Sequence, residues 1–143
     1  MSNPTHKHTT VLDSHGSIQF DALLGGHALR LDADPEFGGM GTGPGPKSLL
    51  LVALGGCTGM DVVSLLHKMR MPFDTLRIEV EGTLIDEHPK VYSQIELTYR
   101  IHSAEPDVEK IQKAVSLSLE RYCGVYAMLS QVARIEHQIL INP

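Results

Sequence analysis

The sequence predicts an α+β fold with the element order β-β-β-α-β-β-α-α-β, and three observations predict it. Residues 47–70 form a long apolar stretch between a loop rich in glycine and proline and Pro72, as is typical of a helix. Residues 75–86 and 91–102 alternate apolar and polar side chains, as is typical of strands with one buried face. A second helical pattern and a last alternating stretch follow.

The N-terminal part of the chain predicts two or three short antiparallel strands. Residues 11–13 and 17–22 have strand patterns, and Gly25-Gly26 is a two-residue turn of the kind that joins a hairpin. Leu29 and Leu31 then alternate with polar neighbours. Residues 34–46 contain five glycines and three prolines, which predicts a loop.

The helix predicted over residues 47–70 is apolar on every side in its first half. Pro46 suits the first helical position and Pro72 ends the pattern. A helix that is apolar all round must be covered all round, and one small sheet covers a single side. The pattern therefore predicts a partner subunit on the other side. Gly55 and Gly56 each cost about 1 kcal/mol relative to alanine in a helix, so a close contact should compensate for them.

The rest of the chain predicts a hairpin, two helices and a last strand. Residues 75–86 and 91–102 form the antiparallel hairpin, and Asp107 with its neighbours begins a helix that Cys123-Gly124 breaks. Residues 125–132 predict a short helix, and residues 134–141 the last strand. We expect one domain over residues 1–143, with residues 1–7 as a flexible tail.

Charge and composition exclude several classes of function. The net charge is −5 and no cluster of Lys or Arg occurs, which argues against nucleic acid or an anionic membrane as a partner. The N-terminus lacks the apolar core of a secretory signal, and the longest apolar run, residues 49–54, is too short to span a bilayer. We therefore expect a cytoplasmic protein, in which the two cysteines do not form a structural disulfide.

Each cysteine has two interpretations. On the long helix, Cys57, Asp61 and Ser64 share one stripe and could form the floor of a site, or Cys57 is simply a small buried apolar residue. Cys123 precedes a short helix whose dipole would favour its thiolate, or it is a small residue that the helix junction needs. Position alone does not decide between these interpretations.

Two thiols are also the minimal set for reduction of a peroxide. One thiolate attacks the O–O bond and becomes a sulfenic acid, and the second thiol condenses with that acid. A cation must keep Cys57 ionised, because the middle of a helix gains little from the helix dipole. The candidate cations are Arg30, Lys47, Arg70 and Arg121.

Residues 43–70 and 120–141 resemble the OsmC/Ohr family, in which a proline-led apolar helix carries a cysteine and a second cysteine lies near the C-terminus. The resemblance implies an intertwined homodimer, with strongly curved antiparallel sheets around long central helices and the cysteines at the subunit interface. It also implies reduction of organic hydroperoxides and hydrogen peroxide in oxidative-stress defence. Cys57 would be the peroxidatic thiol and Cys123 the resolving thiol, with a dithiol reductant and no cofactor.

The chain departs from the family's peroxidases at two points. Those members carry a Glu near the start of the long helix, where this chain has Lys47 and Ser48. They also carry an activating Arg from the N-terminal strands or loops, for which Arg30 is the only early candidate. The alternative function is therefore an OsmC-fold protein with weak or no peroxidase activity that binds a small apolar ligand at the dimer interface.

A zinc site is the other alternative that the residue types raise. The chain has eight histidines and two cysteines but no CxxC, HxxxH or HExxH spacing. We therefore expect no metal.

Overall fold

The computed structural model describes residues 6–143, and the chain divides into two compact units, Met1–Leu49 and Leu50–Pro143. A flexible tail was predicted over residues 1–7, and the first five of these positions lie outside the described residues. The single domain over residues 1–143 stays a prediction.

The first unit contains a three-stranded antiparallel sheet of β1 (Thr10–Asp13), β2 (Phe20–Leu24) and β3 (His27–Leu31). Gly25 and Gly26 form the turn between β2 and β3 with φ of 55° and 80°, a region where glycine has no steric cost. The predicted hairpin is confirmed, although β2 begins three residues later than the pattern indicated.

The loop after β3 is organised by one buried carboxylate. Asp32 accepts hydrogen bonds from the backbone N–H groups of Ala33, Met40 and Thr42, and from the hydroxyl of Thr42. These bonds hold the pKa of Asp32 far below its usual value, the Thr42 hydroxyl contributing most. Within the predicted loop, Pro35–Phe37 forms a single turn of 3-10 helix.

The long helix α1 spans Pro46–Lys68, close to its predicted bounds. Its buried residues are four apart, so they form a single stripe: Leu54, Thr58, Val62 and Leu66. Other parts of the helix are exposed within the chain, including Val52 at 68% and Met60 at 76%. The chain therefore covers one side of α1, as the sequence predicted.

The second unit contains a sheet of β4 (Thr75–Leu84), β5 (Tyr92–His102) and β6 (Arg134–Ile141) in that order. β4 and β5 form the predicted antiparallel hairpin, but β6 runs parallel to β5. This corrects the expectation of purely antiparallel sheets. The physical reason is the connection, because a helical crossover returns the chain to the same end of the sheet and so makes the next strand parallel.

That crossover consists of α2 (Val108–Leu117), a single π-helical turn (Ser118–Tyr122) and α3 (Gly124–Leu129). Asp107 caps α2 by accepting a hydrogen bond from the N–H of Lys110 at 3.2 Å. The core joins the buried stripe of α1 to one face of β5 and one face of α2, through residues that include Ile95, Leu97, Tyr99, Ile101, Ile111 and Val115. The α+β class is confirmed.

By length and composition, α1 would be able to cross a membrane, and it is the one helix within residues 6–143 of which this holds. The sequence analysis considered only the uninterrupted run of residues 49–54 and so missed this property. A core helix of a soluble protein can have the same length and composition, and the buried stripe of α1 belongs to the core of the second unit, although only 22% of its apolar window is buried within the chain.

Candidate functional site

The two cysteines, 66 positions apart in the sequence, lie close together in the second unit. Their Sγ atoms and a carboxylate oxygen of Asp61 all lie within 4.8 Å of one another. Asp61 is one turn beyond Cys57 on α1, so both side chains project from the same side of the helix. Cys57 is half-buried and Cys123 is only 3% exposed.

The π-helical turn brings Cys123 into this group. The N–H of Cys123 donates to the carbonyl of Ser118, five residues back, at 2.7 Å. This π-helical turn, which is wider than an α-helical turn, follows α2 directly. Ser118 at its start and Cys123 after its end are both buried. Cys123 then caps α3, with its Sγ accepting a hydrogen bond from the N–H of Tyr126 at 3.3 Å.

A chain of buried hydroxyl groups lies behind the cysteines. The hydroxyl of Thr58 is 2.7 Å from that of Tyr99 and 2.7 Å from that of Ser118, which donates to Asp61 Oδ2 at 3.0 Å. Each hydroxyl has one proton and a carboxylate only accepts, so with Asp61 ionised the donors run from Tyr99 through Thr58 and Ser118 to Asp61.

Sequence reasoning missed this hydroxyl chain. It chose Ser64 as the third member of the polar stripe, but Ser64 is exposed. The sequence feature that could have indicated the hydroxyl chain is Thr58, a polar residue within an apolar stripe of four-residue spacing. Its partners come from β5 and from the end of α2, which no local pattern connects to it.

Burial controls the protonation of Cys123. The pKa of its thiol is raised to about 11, mainly by desolvation and in smaller part by neighbouring Cys57 and Asp61, while the hydrogen bond from the Tyr126 N–H acts in the opposite direction. The sequence analysis expected the start of α3 to favour the thiolate. That helix end does supply an N–H donor, but the cost of burying the charge is larger.

The structure gives contacts for Arg30 and Arg121 and a backbone conformation for Arg70. Arg30, in the first unit, forms a two-pronged ion pair with Asp21 of the neighbouring strand, with distances of 2.8 Å and 3.3 Å. The Arg121 guanidinium lies 5.6 Å from the centre of the Tyr122 ring. Arg70 follows α1 with a φ of 55°. The activating role of Arg30 stays a prediction.

An apolar groove of about 910 Å³ lies between α1 and β4, and the glycines of α1 line it. A Cβ at Gly55 would be 3.0 Å from Val80 Cγ2, and one at Gly59 would be 2.9 Å from Ile78 Cδ1. The close contact expected at Gly55 is thus made by side chains of its own chain. At Gly56, such a Cβ would have no described atom within 4 Å other than its chain neighbours and the backbone of its own helix.

Comparison with known proteins gives a family match. Residues 39–138 match the OsmC family, described as OsmC-like protein. The protein YhfA of Escherichia coli strain K12 is 31% identical over 112 residues, which cover 78% of this chain and 81% of YhfA.

Two solved structures show the same fold. A hypothetical protein from Aquifex aeolicus VF5 superposes with a TM-score of 0.82 at 26% identity, covering 97% of this chain and all of that one. An organic hydroperoxide resistance protein from Elizabethkingia anophelis superposes with a TM-score of 0.75 at 8% identity, covering 99% and 100% of the two chains. At that identity, the second likeness concerns the fold alone.

Proposed function

The chain belongs to the OsmC family, and on that premise we propose that it is a thiol-dependent peroxidase that reduces organic hydroperoxides or hydrogen peroxide. The observation that carries the proposal is the approach of the Cys57 and Cys123 sulfur atoms to within 4.8 Å. A disulfide between them needs a further approach of the two sulfur atoms to about 2.05 Å.

In the first step, the Cys57 thiolate attacks the O–O bond of the peroxide. A sulfur–oxygen bond forms, the O–O bond breaks, and the alkoxide or hydroxide that leaves takes up a proton. Cys57 suits this role because it is half-buried and therefore within reach of a peroxide, while Cys123 is buried. The product is a sulfenic acid on Cys57.

In the second step, Cys123 acts as the resolving thiol. Its raised pKa keeps it protonated at neutral pH, so its proton must leave as its sulfur attacks the sulfur of Cys57. An S–S bond forms, the sulfur–oxygen bond breaks and water leaves. The Asp61 carboxylate, whose oxygen lies within 4.8 Å of both sulfur atoms, is placed to accept that proton and pass it to the leaving hydroxide, which departs as the water. A dithiol reductant then returns both residues to thiols.

The proposal includes a homodimer and a cytoplasmic location. The exposed apolar side chains of α1 and the groove beside them support a second copy of the chain as the covering partner. Two free thiols support the proposed location, because a reducing compartment keeps thiols in that form.

A second candidate function is binding of a small apolar ligand without peroxidase chemistry. The groove between α1 and β4 favours it, because its lining is mostly apolar and its volume of about 910 Å³ suits a small molecule. Lys47 and Ser48, which stand where peroxidases of the family carry a Glu, also favour it.

The two functions are separated by mixing the reduced protein with cumene hydroperoxide and following peroxide and free thiols over time. We expect rapid loss of two thiols per chain, with turnover when a dithiol is present. Cys57→Ser should abolish consumption, while Cys123→Ser should consume one peroxide per chain and accumulate a sulfenic acid that a diketone reagent traps.

Consumption no faster than that by free cysteine would overturn the peroxidase and favour the ligand-binding function. Normal turnover by both serine variants would show that the site is wrongly assigned, even if the activity is real.

A further inference from the structure

We propose that the reduced site binds a thiophilic divalent cation of the Zn²⁺ type, with Cys57 Sγ, Cys123 Sγ and one carboxylate oxygen of Asp61 as its ligands. The sequence analysis expected no metal because it searched for ligands at short spacings. Here the ligands come from α1 and from the start of α3, and only the fold brings them together.

The distances between the three atoms suit such an ion. Zinc–sulfur bonds of about 2.3 Å and zinc–oxygen bonds of about 2.0–2.2 Å in a tetrahedron place ligand atoms roughly 3.5–3.8 Å apart. The three atoms already lie within 4.8 Å of one another, so the site closes on an ion with changes of about 1 Å. Rotation of the half-buried Cys57 side chain can supply most of that change.

The carboxylate ligand is held by a second layer of hydrogen bonds. Ser118 donates to Asp61 Oδ2 and is itself fixed by Thr58, and both hydroxyl residues are fully buried. Ordered partners of this kind orient metal ligands and strengthen binding. The bond to one carboxylate oxygen leaves the other oxygen to face the ion.

The charges around the site also favour a cation. Asp61 is half-buried, and no Lys, Arg or His forms a salt bridge with it anywhere in residues 6–143. A divalent ion would compensate this carboxylate and the two sulfur ligands at once.

The ligand types select the ion. Thiolate sulfur favours Zn²⁺ over Mg²⁺ or Ca²⁺, which prefer sets of oxygen ligands. Three protein ligands leave a fourth position for water or a small external ligand. A disulfide between Cys57 and Cys123 would remove two of the three ligands, so metal binding belongs to the reduced protein alone. The proposal does not depend on peroxidase activity.

The test is a titration of the full chain, reduced and freed of metal, with Co²⁺ and then Zn²⁺. We expect one Co²⁺ per chain, thiolate-to-cobalt charge-transfer absorption, the visible bands of a tetrahedral site, and displacement by Zn²⁺. A competing chelator dye should show that Asp61→Asn and Cys57→Ser each weaken Zn²⁺ binding more than tenfold. Ser118→Ala should weaken it about 10- to 100-fold through the orientation of Asp61.

The matched control is Asp86→Asn, an exposed carboxylate on another part of the chain, which should not change the affinity. A variant with His6→Ala and His8→Ala should also bind normally, which separates this site from histidines near the N-terminus. Charge-transfer absorption of undiminished intensity together with unchanged Zn²⁺ affinity in Cys57→Ser, or equal affinity for the thiol and disulfide forms of the wild type, would overturn the proposal. These outcomes do not depend on whether the protein reduces peroxides.

Discussion

At the scale of single residues, the two thiols differ because their surroundings differ. Cys57 lies on α1 and is half-buried, whereas Cys123 is buried at the junction that precedes α3. The sequence could predict that both residues matter, since their separation matches a family pattern. It could not predict that burial outweighs the helix end at Cys123, because that balance depends on atoms from other elements.

The raised pKa of Cys123 predicts how stability depends on pH. The folded chain favours the protonated thiol, so this group's contribution is fully present below its ordinary pKa of 9.0 and is lost as the pH rises to about 11. We expect the stability advantage of the reduced wild type over Cys123→Ala to shrink from pH 8 to pH 11, as measured by urea unfolding.

Tyr99, whose pKa is raised to about 12 mainly by burial, also loses its proton at high pH, but it is present in both proteins, so the burial part of its contribution cancels in the difference. A difference that stays constant from pH 8 to pH 11 would contradict the environment assigned to Cys123.

At the scale of elements, regular patterns could be predicted and irregular junctions could not. The bounds of α1 follow from its long apolar stretch between Pro46 and Pro72, and the β4–β5 hairpin follows from alternating apolar and polar residues. The last strand, β6, was predicted over residues 134–141. The parallel pairing of β6 and the π-helical turn at Ser118–Tyr122 were not predicted, because both depend on how the crossover packs. The site depends on that turn, since the turn places Cys123 beside Cys57.

The glycines of α1 give a prediction at this scale. Gly56→Ala should favour the isolated helix by about 1 kcal/mol, because the new Cβ meets no described atom of its own chain within 4 Å. If a second copy packs closely against the groove, the same Cβ should weaken the dimer. We expect dilution experiments to show a dissociation constant raised about tenfold or more for Gly56→Ala.

Gly59→Ala is the comparison, since its Cβ would meet Ile78 Cδ1 at 2.9 Å within the chain. Relative to the wild type, that variant should alter the free energy of unfolding, while the dissociation constant of the dimer should change little. Unchanged dimerisation of Gly56→Ala together with higher stability would mean that no partner approaches this glycine.

At the scale of the whole molecule, the question is what covers the apolar face of α1. The helix is long and apolar enough for a membrane, yet its buried stripe is part of a core, and Thr58 and Asp61 join a polar network with Ser118. In the proposed homodimer, a second copy of the chain would cover both the apolar face and the groove beside it. The sequence predicted a covering partner from the pattern alone, but a single chain contains no information on the partner's position.

Two exposed methionines test the partner directly. Met60 is 76% exposed and lines the groove, and Met128 is 67% exposed on α3 and does not line it. Burying a methionine contributes about 1.5–3 kcal/mol, and a buried Glu adds the cost of desolvating its charge. Met60→Glu should therefore weaken the dimer at least tenfold, whereas Met128→Glu should leave it intact.

Light scattering without detergent should give twice 15.7 kDa for the wild type and for Met128→Glu, and a falling mass for Met60→Glu on dilution. A wild-type monomer, a requirement for detergent, or equal effects of the two substitutions would mean that something other than a second copy covers α1.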